Sequence, residues 1–348
     1  MAAADEITRA LDAAGPFGSL AERALADQTL DAAAAQAILT CTDDEIEVVL
    51  WAAFAVRFRH FGRRVKLCLL NNARSGLCPE DCGYCSQSAV ATSEIPRYRL
   101  KSVDELVTGA REAVQAGARR YCMVTSARGP SGRDLRHFGT AARRIRREFA
   151  DLELCVSLGI MGDAAALELR AAGVDYVNHN LNTSRRFYPE ICSTHTYDDR
   201  VETVRSAKRA GLGACSGVIV GMGETDEDLV EVAQALRALE VESLPVNFLH
   251  PIDGTPLAAR RPPSVGRCLR ALALFRLTNP RAEIRAAGGR ELALDAWQTL
   301  ALFAVNSIFV DGYLTTGGQG AGAARTMVES VGFEVEMAAT TAAEVARS

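Results

Sequence analysis

The sequence predicts an α/β chain: a (β/α)8 barrel of the TIM type with an N-terminal helical extension. Three observations carry that expectation. Eight short, mostly apolar runs recur between residues 64 and 312. Helical patterns separate most of them, and several helices end on the same Ala-Gly punctuation, as in "VQAGARRYCMV", "LRAAGVDYVNH" and "KRAGLGACSGV". Alternating strands and helices ask for a parallel sheet, and a count of eight suits a closed barrel better than an open sheet.

The elements follow in order. Residues 1–45 are Ala-rich and are expected to form helices outside the barrel. Thr42-x-x-Glu45 is a capping-box pattern at their end. The barrel is expected over 46–320, with a C-terminal tail over 321–348 outside it. The predicted strands are 64–70, 119–125, 152–159, 174–181, 213–221, 244–249, 282–288 and 307–312. They are apolar enough to be covered on both faces. Ser102-x-x-Glu105 opens one intervening helix, along which Leu106, Val107, Ala110, Ala113 and Val114 recur at helical spacing. Thr225 opens another before the acidic turn "DEDL". Gly117, Gly173 and Gly211 suit the left-handed position that ends a helix.

Composition narrows the function classes. The 348 residues include 48% apolar and 24% charged side chains, ordinary for a globular chain with a large core. A net charge of −4 gives no reason to expect nucleic acid or an anionic membrane as partner. The start "MAAADEITRALDAAG" lacks the apolar run of a signal peptide, and no long uncharged apolar stretch follows. A cytoplasmic setting is expected. Ten cysteines in a reducing compartment are then metal ligands or buried thiols rather than a disulfide framework.

Three of them crowd into "GLCPEDCGYCSQ": Cys78, Cys82 and Cys85, directly after the first predicted strand. A barrel places that loop at its C-terminal mouth, where active sites sit. Thiolates favour zinc or iron–sulfur clusters. A zinc knuckle needs a nearby fourth ligand, and no His lies between His60 and His137. A [4Fe–4S] cluster on three thiolates, with one iron open to a non-protein ligand, accounts better for the spacing.

At this point the chain resembles the radical S-adenosylmethionine (SAM) superfamily, and within it the biotin synthases. "NNARSGLCPEDCGYCSQS", "YVNHNLNTSRRFYPEICSTHTYDDR", "CSGVIVGMGET", "PVNFLHPIDGTPL", "EIRAAGGRE" and "NSIFVDGYLTT" carry the likeness over about residues 60–316. The resemblance implies that Cys78, Cys82 and Cys85 hold a [4Fe–4S] cluster whose open iron binds SAM. Reductive cleavage of SAM yields a 5′-deoxyadenosyl radical that attacks dethiobiotin.

Cys122, Cys155 and Cys215 fall in predicted strands, and singly each reads as a buried small hydrophobe. Arg285 sits in an apolar run, where it needs an anionic partner; a barrel carboxylate would serve. The resemblance implies instead that these four hold a [2Fe–2S] cluster, the sulfur donor, with Cys155 among the residues essential to catalysis. Cys41, Cys68, Cys192 and Cys268 match no role and read as structural.

Asn178 and Asn180 lie two apart in a predicted strand and so share a face. They read either as a structural amide pair or, with Asn247, as contacts to the ureido ring of dethiobiotin. By resemblance, Arg120, Tyr84, Asn182 and Arg200 lie near SAM or substrate, Arg120 on the substrate side and the other three on the SAM side. Many members carry Asp where Asn182 stands. His179 and His250 read as packing residues. The resemblance further implies an electron donor such as flavodoxin or ferredoxin, and a homodimer.

Overall fold

A computed structural model describes residues 2–336. Among the described residues ten strands form one parallel system: β1 (Arg64–Arg74), β2 (Arg120–Thr125), β3 (Glu153–Ser157), β4 (Tyr176–Asn178) and β5 (Gly213–Cys215). The remainder are β6 (Val218–Val220), β7 (Ser243–Phe248), β8 (Glu283–Ala286), β9 (Ser307–Val310) and β10 (Glu334–Val335). They run β1-β2-β3-β4-β5-β7-β8-β9, and β9 returns to β1, which closes the barrel.

The stretch 213–221 reads as one strand but folds as β5 and β6, both beside β7. The interruption falls at Ser216-Gly217. A Cβ on Gly217 would lie 1.9 Å from the Pro245 carbonyl oxygen, so only glycine lets the two backbones approach there.

Local signals behave as the chemistry requires. Capping boxes open the helices at Ser102, Ser131, Thr196 and Thr225. Gly117, Gly173 and Gly211 take φ of +75°, +91° and +73°. Among the helices before β1, α1 (Ala2–Ala13), α2 (Gly18–Leu25) and α3 (Ala32–Thr40) lie outside the barrel. Next, α4 (Ile46–Phe61) leads directly into β1. Ala10, Ala14, Ala21 and Ile38 belong to the same apolar cluster as Leu67, Leu244 and Ile308. The extension therefore continues the barrel's outer layer and is not a separate body.

Nor does the described part of the C-terminal tail stand apart. A helix over Ala321–Ser330 buries Ala324 and Val328, and β10 pairs in parallel with Arg64 and Val65 of β1. Phe333 sits among Phe54 and Phe303, and this aromatic burial holds the segment down. Residues 337–348 of the predicted tail lie outside the described residues.

Candidate active site at the barrel mouth

The C-terminal ends of the strands surround a cavity of about 360 Å³. Cys78, Cys82, Tyr84 and Cys85 line it from the loop after β1, and Cys122, Asn178 and Cys215 from the strands. Asn180, Asn182, Arg200, Asn247 and Arg285 complete its polar wall.

The deep end is built by strand register. Cys122 of β2 pairs with Cys155 of β3, and Asn178 of β4 with Cys215 of β5. The three thiols form their own buried group, with Leu70, Val124, Tyr176 and Phe309 packed around them. Cys155 does not line the cavity; it is fully buried and packs with Cys122 and Cys215. Contact with the Cys155 thiol, then the charges of Arg285 and Arg120, pull Cys215 toward its thiolate, while Cys155 is held neutral.

Arg285 faces this group. Its Nε donates to Ser307 Oγ at 3.0 Å, and Nη2 to Ser243 Oγ at 3.1 Å and to Glu283. That leaves Nη1 toward Cys215 Sγ at 3.8 Å. The guanidinium also lies 4.9 Å from the Phe309 ring. Glu283 is the shared anion, pairing with Arg285, with Arg120 at 3.0 Å and with Lys66 at 3.0 Å. Those cations hold its carboxyl well below the usual range despite the burial. Glu153 is the second carboxylate, bonded to Lys66 and Arg120. Three cations against two carboxylates leave one positive charge in excess beside the thiols. The barrel-carboxylate partner for Arg285 is therefore present, and it leaves the arginine's inner face available to a further anion.

The placement of Arg120 departs from the expectation. It does not line the cavity: it is fully buried one layer below, bonded to Glu153, Ser243 and Glu283 and stacked 3.9 Å from the Tyr176 ring. Its register opposite Cys68 and Glu153, two residues before Cys122, puts it under the thiols. A site at the mouth is out of its reach.

The amides are satisfied from within. Asn178 Nδ2 donates to Asn180 Oδ1 (3.1 Å) and to the Cys215 carbonyl (3.2 Å). Asn247 donates to Val218 and accepts from the Gly288 amide, each at 2.9 Å. These bonds offset the cost of inward amides and fix their orientation. Asn182 sits at φ +69° and donates to the Tyr84 hydroxyl at 2.6 Å. Arg200 donates to the Asn180 carbonyl at 2.8 Å and to Tyr188. Burial pushes the Tyr84 hydroxyl well up, so it stays protonated. His179 lines the cavity and is buried, and that burial keeps it neutral.

At the shallow end, the loop is irregular and stitched to residues 191–195. Gly83 N–H donates to the Ile191 carbonyl at 2.9 Å, and Asp81 accepts from the amides of Ser193 and Thr194 at 3.0 and 3.2 Å. Burial pushes the Cys85 thiol up to about 11. A metal centre must therefore displace protons from the loop. Sequence reasoning missed Glu80, Cys192 and His195. Cys192 Sγ lies 3.7 Å from Cys82 Sγ, and His195 Nδ1 lies 2.6 Å from Glu80 Oε2. The signal that could have found two of them is "CSTH", a cysteine and a histidine three apart, far from the loop in sequence.

A cysteine-bearing loop at the mouth of a parallel barrel defines the class, and comparison agrees. The Radical SAM superfamily model matches residues 74–236, and the model of the Biotin and Thiamin Synthesis associated domain matches 245–334. Among solved structures, methylornithine synthase superposes with a TM-score of 0.80 at 22% identity, over 93% of this chain and 99% of that one. The FeFe-hydrogenase maturase of Carboxydothermus hydrogenoformans gives 0.76 at 17%, over 96% and 85%. Both share the fold. The nearer likeness is in sequence. The biotin synthase of Geobacillus kaustophilus (strain HTA426) is 49% identical over 92% of this chain and 96% of its own length. That of Bacillus subtilis (strain 168) is 47% identical over 91% and 94%. The chain belongs to the biotin synthase family of radical SAM enzymes.

Proposed function

We propose that the chain inserts sulfur into dethiobiotin to form biotin, with two iron–sulfur centres facing one cavity. Cys78, Cys82 and Cys85 hold a [4Fe–4S] cluster, and Cys122, Cys155, Cys215 and Arg285 hold a [2Fe–2S] cluster. The observation that carries this reading is the single cavity lined by the loop thiols at one end and by Cys122, Cys215 and Arg285 at the other. When bound, the first cluster supplies the electron that cleaves SAM and the second supplies the sulfur.

The donor chemistry fits both groups. Three thiols on the loop leave one coordination position for SAM. Three strand thiols and one arginine make a set of four, with one surplus positive charge to balance thiolates. The protein's own work is positioning and exclusion of water. Tyr84, Asn182 and Arg200 stand on the SAM side. Asn178, Asn180 and Asn247, their amides already oriented, present the substrate side. Arg120 serves as a counter-ion beneath the second centre. A barrel over 46–320, a homodimer, a cytoplasmic setting and an electron donor such as flavodoxin or ferredoxin complete the proposal. No described helix is long and apolar enough to cross a membrane.

The test is anaerobic reconstitution followed by assay of dethiobiotin with SAM and a reductant. About six irons per chain, four plus two, are expected together with biotin. A colourless protein that holds zinc and makes no biotin after reconstitution would sink the reading.

A further inference from the structure

Cys82 serves two geometries. It belongs to the loop trio, yet its sulfur lies 3.7 Å from Cys192 Sγ, while Cys192 Sγ lies 3.2 Å from His195 Nδ1. Cys82, Cys192 and His195 are all buried, and their ligand atoms fall within 4.8 Å of one another. On a tetrahedral zinc with Zn–S near 2.3 Å and Zn–N near 2.0 Å, two thiolates stand about 3.8 Å apart, and a thiolate and an imidazole nitrogen about 3.5 Å. The observed separations are close to both.

The surroundings keep these groups in place. Glu80 and Tyr188 lie on the imidazole's two nitrogens, at 2.6 Å from Nδ1 and 2.9 Å from Nε2. Asp81 Oδ1 is 3.2 Å from Cys192 Sγ. Cys192 and His195 share one short segment, which hydrogen bonds to Asp81 and Gly83 fasten to the loop. None of this requires Cys78 or Cys85.

We propose that, before the loop receives its cluster, Cys82, Cys192 and His195 form a binding site for one zinc-class divalent cation, with water as the fourth ligand. The two thiols release their protons on binding. The imidazole moves its remaining proton to Nε2, facing the Tyr188 hydroxyl oxygen, so that Nδ1 meets the metal. The Glu80 carboxylate, at 2.6 Å from Nδ1, and Arg200 Nη2, at 2.9 Å from Nε2, must then give way. Loading therefore withdraws Cys82 from the cluster set and shifts Arg200 as well. The two metal states of the loop exclude one another through a single sulfur. This inference does not depend on which reaction the loaded enzyme performs.

The test uses the full chain, stripped of iron under anaerobic conditions and titrated with cobalt(II), whose thiolate charge-transfer absorption reports the sulfurs bound. One cobalt per chain is expected. Cys192→Ala and Cys192→Ser should each lose roughly half that absorption and about tenfold in affinity. Cys78→Ala should leave both unchanged. An equivalent of zinc should slow cluster reconstitution in the parent chain and much less in Cys192→Ser. Circular dichroism and melting confirm that each variant is folded. Cobalt absorption indifferent to Cys192 but lost in Cys78→Ala would place the metal on the loop alone and overturn the proposal. So would a stripped chain that binds no cobalt.

Discussion

The two thiol sets are built by opposite means. Cys122, Cys155 and Cys215 stand on neighbouring strands, where backbone register fixes them and the arginine beside them belongs to a network with four other charged groups. Cys78, Cys82 and Cys85 stand on an irregular loop that borrows its shape from residues 191–195. Strand register alone sets the arrangement of the first set. The second has at least one sulfur turned to another neighbour, 3.7 Å away. On the proposed assignment, the strand set holds a sulfur-donating centre that must survive the loss of one of its atoms, and a rigid frame suits that task. A centre that binds a cosubstrate at an open iron needs access, which a loop at the mouth provides.

The contrast breaks most sharply in a pair of variants. Cys82→Ala should abolish both SAM cleavage and biotin formation. Cys155→Ala should abolish biotin formation and lower bound iron by about two per chain, while SAM cleavage stays within roughly tenfold of the parent. Parallel assays of methionine release and biotin decide it; wild-type biotin yield from Cys155→Ala would refute the sulfur-donor assignment.

Next in size is the frame beneath the strand set. Glu283→Ala leaves Lys66, Arg120 and Arg285 with one carboxylate among them, and removing one partner of a buried pair costs about 3–5 kcal/mol. Chemical denaturation should show that loss, and the second centre should bleach sooner than the first. Asn182→Ala is smaller: a left-handed backbone without a short polar side chain costs about 1–2 kcal/mol, and the Tyr84 contact goes with it. Asn182→Gly should restore most of that stability without restoring affinity for SAM, which separates backbone from side chain.

The smallest effect is a pH dependence. His179 is buried and held neutral, so its folded pKa lies below the unfolded value near 6.5. As pH falls through 6.5, the unfolded chain takes the proton and the folded chain does not. Stability should fall by up to about 1.4 kcal/mol per pH unit from this group, and His179→Gln should flatten that slope. Above pH 7 the parent and variant should run parallel.

Much of this was legible in advance. Each predicted strand overlaps at least one observed strand, because short apolar runs between capped helices admit few other arrangements. The break at Gly217 was not visible, since it depends on a close approach to Pro245 from a strand 28 residues later. The two ends of the cavity differed in the same way. Strand cysteines can be placed by counting, as register is periodic. Contacts of Cys82 with Cys192, or of Arg120 with Glu283, join residues more than a hundred positions apart, and no local pattern encodes them. The position of Arg120 one layer below Cys122 was not visible for that reason: it is a matter of depth, which a linear motif does not express.

The last described strand has a bearing on how the molecule is made. β1 takes β10 at Arg64 and Val65, β9 from Lys66 to Leu69 and β2 from Cys68 onward. The first stave to leave the ribosome thus waits for the final ones to emerge before its edge is covered. On the proposed assignment, iron and sulfide reach the inner thiols either through that late seam or through the mouth once the seam has shut. The timing of translation relative to cofactor delivery then becomes a variable of assembly, and truncation before Ser307, which removes β9 as well as β10, a way to hold the seam open.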